Sequence, residues 1–162
     1  MNAKILFLSA TLFALVAASL FADGSADARV GKQLDRLGWQ YKTTGSGNYS
    51  IVKDLDGGRS QTVYLMSKTE SYGGLEIREI WSNAGSMEEQ PSQDQLMELL
   101  ADNNTQKMGA WSVEASDDGS YLVYFSIKVP VYIKDKDLAD IIDFAATVAD
   151  EREERLFDAD EN

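Results

Sequence analysis

The chain has 162 residues, of which 44% are hydrophobic, and a formal net charge of −12, with neither cysteine nor histidine. Lacking both, it can form no disulfide, no thiolate nucleophile, no lipoprotein anchor and no Ser-His-Asp or Cys-His catalytic set. Its excess negative charge repels phosphate, which disfavours nucleic acid and anionic membrane surfaces as partners.

Met1 to Ala22 opens with Lys4, continues as an apolar run from Ile5 to Phe21 and ends in small residues. That is the layout of a secretory signal peptide. Cleavage is expected after Ala22, Ala26 or Ala28, and Ala26-Asp27-Ala28 gives the best Ala-x-Ala match. The rival reading is an uncleaved N-terminal anchor, although Ala14, Ala17, Ala18 and Ser19 make the run less apolar than most anchors. Either way the domain is expected to be exported, periplasmic or secreted, and no second apolar run predicts a membrane span once the signal is gone. Residues 29–157 then form one domain and 158–162 an acidic tail. Losing Met1–Ala22 removes one lysine and no acid, which takes the charge to −13.

Val30, Leu34 and Leu37 recur at helical spacing, and Gly38 suits the end of that short helix. Trp39-Gln40-Tyr41 then extends toward a turn at Thr43–Gly47. Three strands are predicted next, Tyr49–Leu55, Gln61–Lys68 and Leu75–Ser82, separated by Asp56-Gly57-Gly58 and Tyr72-Gly73-Gly74. In the second, Val63 and Leu65 share one face and Tyr64 and Met66 the other. In the third, Leu75, Ile77 and Trp81 oppose Glu76, Arg78 and Ile80. Connections this short predict an antiparallel meander. Asn83 to Gln90 is polar and turn-rich. Ser92 and Gln95 then have the spacing of a capping box, opening a helix with an inner stripe of Leu96, Leu99 and Leu100 that ends at Asp102-Asn103-Asn104.

The most regular stretch is Trp111 to Leu156. Trp111, Val113 and Ala115 alternate with polar residues, Asp117-Asp118-Gly119 supplies a hairpin turn, and Tyr121, Val123, Phe125, Ile127 and Val129 alternate with Leu122, Tyr124, Ser126 and Lys128. The period then changes: Leu138, Ile141, Ile142, Ala145, Val148, Ala149, Arg152 and Leu156 fall on one stripe of a helix, with Asp137, Asp140, Asp143 and Asp150 largely off it. Asp135 or Asp137 is placed to cap its first turn. The stripe reads as the face that covers the sheet rather than as a cofactor box. Residues 135–162 carry eleven acids and three bases, the composition of a solvated helix end. The predicted fold is α+β: a mainly antiparallel five-stranded sheet with three helices, in the order α-β-β-β-α-β-β-α.

With Gln95-Leu96-Met97-Glu98-Leu99-Leu100, Asn103-Asn104, Gly109-Ala110-Trp111-Ser112-Val113, Tyr121-Leu122-Val123-Tyr124-Phe125, Val129-Pro130 and Val148-Ala149-Asp150, the chain resembles the YbjN-like family, named for sensory transduction regulators of bacteria. The resemblance spans roughly Ala28 to Leu156 and rests on apolar patterns rather than catalytic signatures. It implies a fold similar to the type III secretion chaperones, no established enzymatic activity, and a regulatory or protein-binding role. Those chaperones are small, acidic, often dimeric and bind peptide segments of partners. They work in the cytoplasm, whereas this chain carries an export signal.

Candidate sites are few. Asp54-Leu55-Asp56-Gly57-Gly58 starts like a calcium loop, but Gly58 stands where a ligand belongs and Leu65 where the bidentate glutamate belongs, so it reads as a turn. Glu76, Glu79, Glu88 and Glu89 are the carboxylates available for acid–base work, and spacing alone pairs none of them. Asn48-Tyr49-Ser50 and Asn103-Asn104-Thr105 match the glycosylation sequon, a chance match in a bacterial chain, which is the source the resemblance implies. Tyr64, Tyr124 and Trp111 are the aromatics placed on a sheet face away from the helices, where they would form an interaction surface. The reading is therefore an exported, non-enzymatic module without catalytic residues, cofactor or metal, binding a protein or peptide partner or pairing as a homodimer. The alternatives are a carboxylate-based or divalent-metal-dependent envelope enzyme and a purely structural envelope protein.

Overall fold

The computed structural model describes residues 24–157, with side chains as far as Arg155. The expected signal peptide, its expected cut after Ala22, the acidic tail and the place of the Leu156 side chain lie outside the described residues.

Helix α1 spans Ala28–Leu37. Asp27 caps it by accepting from the Arg29 N–H, and Gly38, at φ 69°, closes it in the left-handed conformation that a Cβ would strain. The strands are β1 (Lys42–Thr43), β2 (Tyr49–Asp54), β3 (Ser60–Tyr72), β4 (Leu75–Met87), β5 (Ala110–Ala115) and β6 (Tyr121–Pro130). They form one antiparallel sheet in the order β1-β2-β3-β4-β6-β5. Helix α2 (Gln93–Asn103) interrupts the meander after β4, and α3 (Asp135–Phe157) follows β6.

The α+β class, the antiparallel sheet and the three helices are as the periodicity predicts. The sheet has six strands rather than five, because Lys42 and Thr43, at the start of the expected turn, pair with Ser50 and Tyr49. β4 also runs five residues past its predicted end at Ser82. The polar stretch Asn83–Met87 stays in the sheet because the first residues of β6 pair with it across a bulge at Gly85, whose N–H is held by the Asn83 side chain at 2.8 Å.

One face of the sheet is the core. Val63, Leu65, Ile80, Val123, Phe125 and Ile127 are almost wholly buried, and each such aliphatic or aromatic side chain contributes on the order of 2 kcal/mol. α3 lies across β3, β4 and β6, presenting Ile142, Ala145, Ala146 and Ala149 with no exposed surface. The alanines let the helix axis approach the sheet closely. α1 adds Val30 and Leu34, and α2 adds Leu99 beside β5.

Three helix expectations need correction. Leu100 is exposed and Leu96 only half-buried, since α2 meets the sheet chiefly at its β5 edge. Asp150 is buried, because Arg59 reaches from β3's entry to pair with it at 2.5 Å. Asp135 and Asp137 sit inside the first turn of α3, and the Asp135 carboxylate grips Arg36 of α1 through two 2.7 Å hydrogen bonds.

Candidate interaction surface

Period-two alternation puts every second side chain of β3, β4 and β6 on the side opposite the helices. Among the described residues no helix covers that side. Tyr64 and Trp81 stand directly opposite each other on β3 and β4 and stack, with ring centroids 4.4 Å apart and planes 18° apart. Tyr124 of β6 meets Trp81 edge-on at 5.5 Å. The Trp81 Nε1–H points at the Met66 sulfur, 3.3 Å away. All three rings are half-buried by one another.

Beside this ladder Met66, Glu79, Trp81, Glu114, Leu122 and Tyr124 line an open cleft of about 170 Å³. Its floor is apolar and its two charged groups are both carboxylates. Burial raises the Tyr124 phenol above its usual range, and the charges of Glu114 and Glu79 raise it further. A second depression of about 230 Å³ continues along the same face, past Lys68, Glu70, Ile77 and Lys128. The Lys128 position pairs with Glu79 across the β4–β6 ladder.

Of the three aromatics predicted for an open face, Tyr64 and Tyr124 lie there together. Trp111 does not. It pairs with Phe125 in the β5–β6 register, so it shares the buried face; its ring meets Phe125 edge-on at 5.2 Å and it is 6% exposed. Its indole N–H donates to Asp102 of α2 at 2.6 Å, which supplies the partner a buried indole needs. Trp81 takes its place on the open face. Its parity with Ile77 is the signal in the sequence that could have found it; its position opposite Tyr64 follows from the register of β3 and β4.

The four glutamates do not converge. Glu76 is held by Arg29, with oxygens 2.7 and 2.8 Å from the guanidinium, and by Thr69 at 2.8 Å. Arg29 is the main reason its carboxyl falls from 4.5 to about 2. Glu79 is on the open face, and Glu88 and Glu89 are exposed beyond β4. Asp54 to Gly58 makes the β2–β3 turn, and among the described residues no three acidic side chains group as metal ligands. Sequence reasoning put Arg152 on the covered stripe of the last helix but missed the burial of Arg78 and the partners of both. Arg78, 4% exposed, projects from β4 to the core side, where Asp27 and the Met66 carbonyl receive it. Arg152, 2% exposed, reaches Glu98 of α2. Among the described residues no helix is long and apolar enough to cross a membrane.

No family model matches this chain, and no curated protein matches it. Among solved structures, the crystal structure of YbjN from E. coli is similar, with a TM-score of 0.44 and 12% identity, over 77% of this chain and 83% of that one. A likeness at that level carries no argument about function, and the α+β assignment rests on the chain's own helices and sheet.

Proposed function

We propose that this chain is an exported, non-enzymatic protein-interaction module whose open sheet face takes a partner segment carrying alternating basic and apolar side chains. One observation carries the reading: the Tyr64–Trp81–Tyr124 ladder borders an apolar cleft whose charged groups are the carboxylates Glu79 and Glu114. Aromatic side chains give large contact area at low entropic cost and dominate interface energetics. A lysine or arginine entering the cleft would meet ring faces and two carboxylates, and both attract a cation. The net charge of −12 steers such a partner in and opposes pairing with a second, equally acidic copy.

The test uses synthetic peptides alternating lysine with leucine or phenylalanine, and counterparts with glutamate for lysine, titrated calorimetrically against the protein. The lysine peptides should bind, more weakly as salt rises, and Trp81→Ala should weaken them by about tenfold or more. Equal binding of the glutamate peptides, or unchanged binding to Trp81→Ala, would sink the reading. A dimer in light scattering that Trp81→Ala dissolves would instead make a second copy the occupant.

A further inference from the structure

Of the three cleavage positions open in the sequence, the best Ala-x-Ala match lies after Ala28. A cut there would remove Asp27, and the fold is built around that residue. Its carboxylate caps α1, accepting from the Arg29 backbone N–H at 2.9 Å. It also accepts from the Arg29 side chain at 2.7 Å and from Arg78. Arg78 is 4% exposed; among the described residues no other acid pairs with it, and its remaining partner there is the neutral Met66 carbonyl. Its neighbours Arg29 and Glu76 are already paired with each other. Without Asp27 the Arg78 guanidinium is a buried cation with no counter-charge, the arrangement that costs a fold most.

The residues just before Asp27 are packed as well. The Asp27 N–H donates to the Ser67 hydroxyl at 2.9 Å, and that hydroxyl donates to the Gly47 carbonyl at 2.6 Å. Gly24 passes so close to Gly47 that a Cβ built on Gly47 would strike the Gly24 carbonyl. Ala26 packs against the core. Segment 24–27 therefore joins the loop before β2 to the middle of β3.

We propose that signal processing falls N-terminal to Asp27, and that Asp27 stays in the exported chain as the fixed counter-ion of Arg78. The cut after Ala28 is the one this excludes. Of the other two, the cut after Ala22 also keeps the Gly24 and Ala26 contacts. The proposal rests on the export reading above, and two measurements keep them apart.

The first is the intact mass of the full chain, carrying a C-terminal tag, recovered from the periplasm of a bacterial host. A mature chain starting at Asp23 is expected, and one starting at Asp27 would also support the proposal. A chain starting at Arg29 would overturn it; an unprocessed chain held in the membrane fraction would overturn the cut but leave the export reading standing as the uncleaved anchor, and a chain found only in the cytoplasm would overturn the export reading. The second measurement needs no export. Chains 23–162 and 29–162 are made in the cytoplasm and melted, alongside Asp27→Asn in the longer one. The shorter chain should melt roughly 10 °C or more below the longer one, or fail to fold, and Asp27→Asn should melt between them. Equal melting of the two lengths would overturn the role given to Asp27.

Discussion

Tyr64 and Trp81 stack across neighbouring strands on the side of the sheet that faces away from the three described α-helices, with ring planes 18° apart. The residue before Trp81, Ile80, points the other way and is wholly buried on the face that α3 covers. The two neighbours therefore separate what the fold needs from what the surface offers. Trp81→Ala removes two aromatic contacts, each worth about 1 kcal/mol, and opens no cavity in the core. Ile80→Ala leaves a void, at a cost of about 4 kcal/mol. Urea unfolding of both variants is the check. If Trp81→Ala is as damaging as Ile80→Ala, the ladder is part of the core and not a free surface.

Trp111 holds α2 to the sheet through two hydrogen bonds, its indole N–H to Asp102 and its backbone N–H to the Asn103 side-chain oxygen, both at 2.6 Å, and only the first depends on its side chain. Burial raises the Asp102 carboxyl, but hydrogen bonds from Trp111, Gln106 and Thr105 outweigh it and leave the group below its usual value. Trp111→Phe keeps an edge contact with Phe125 and deletes the donor to a carboxylate, at a cost of about 2 kcal/mol. Exchange of the α2 amides should quicken more than exchange in β3 or β4, because α2 has few other contacts with the sheet. Uniform quickening over the whole domain would show that the bond is not specific to α2.

The strands were legible because alternation names a face without naming its partner. Val63 with Leu65, and Val123 with Phe125 and Ile127, sort correctly from spacing alone, and so do Tyr64 and Tyr124. Trp111 misled because the face of a short strand follows from its register. Pairing with Phe125 turns it inward, and no local pattern encodes that pairing. Lys42–Thr43 and Asn83–Met87 were missed for a related reason: polar residues join a sheet when a neighbouring strand offers its hydrogen bonds. Buried Arg78 and Asp150 are the opposite case. Both lie at positions where helix or strand geometry points inward, and only partners far away in the chain, Asp27 and Arg59, make a charge tolerable there.

Glu153 is a place where the fold can be improved. Burial, and then the charge of Asp150, raise its carboxyl pKa above the ordinary value, while Gln61 donates a hydrogen bond to it. A raised folded pKa means that the unfolded chain gives up this proton first. Stability therefore falls as pH rises from the unfolded to the folded value, and the loss persists at neutrality. Glu153→Gln keeps an acceptor for Gln61 and removes the charge. Because Glu153 is exposed and solvent screens the repulsion, the change should stabilise the protein only slightly at pH 7, and by less at pH values where Glu153 is already protonated. A gain of the same size at both ends of the pH range would assign the effect to packing and not to ionisation.

The ions around Arg78 give the opposite slope. Asp27 is held well below its usual value, by Arg29 first and Arg78 as well, and Glu76 falls to about 2. For both, the folded pKa is depressed, so their contribution is complete above the unfolded values near 4 and is lost as pH falls toward 2. Melting temperature should therefore drop steeply between about pH 4.5 and pH 2. Asp27→Asn should flatten that drop while lowering stability at neutral pH, because it leaves Arg78 without its counter-charge. Replacing the pair together, Asp27→Asn with Arg78→Met, removes the unpaired cation and should recover much of what the single change loses. The double-mutant cycle, run at pH 7 and again at pH 2.5, is the deciding measurement. A coupling between Asp27 and Arg78 that is large at pH 7 and smaller at pH 2.5 is expected. No coupling at pH 7 would mean that the capping of α1, and not the ion pair, is what Asp27 contributes.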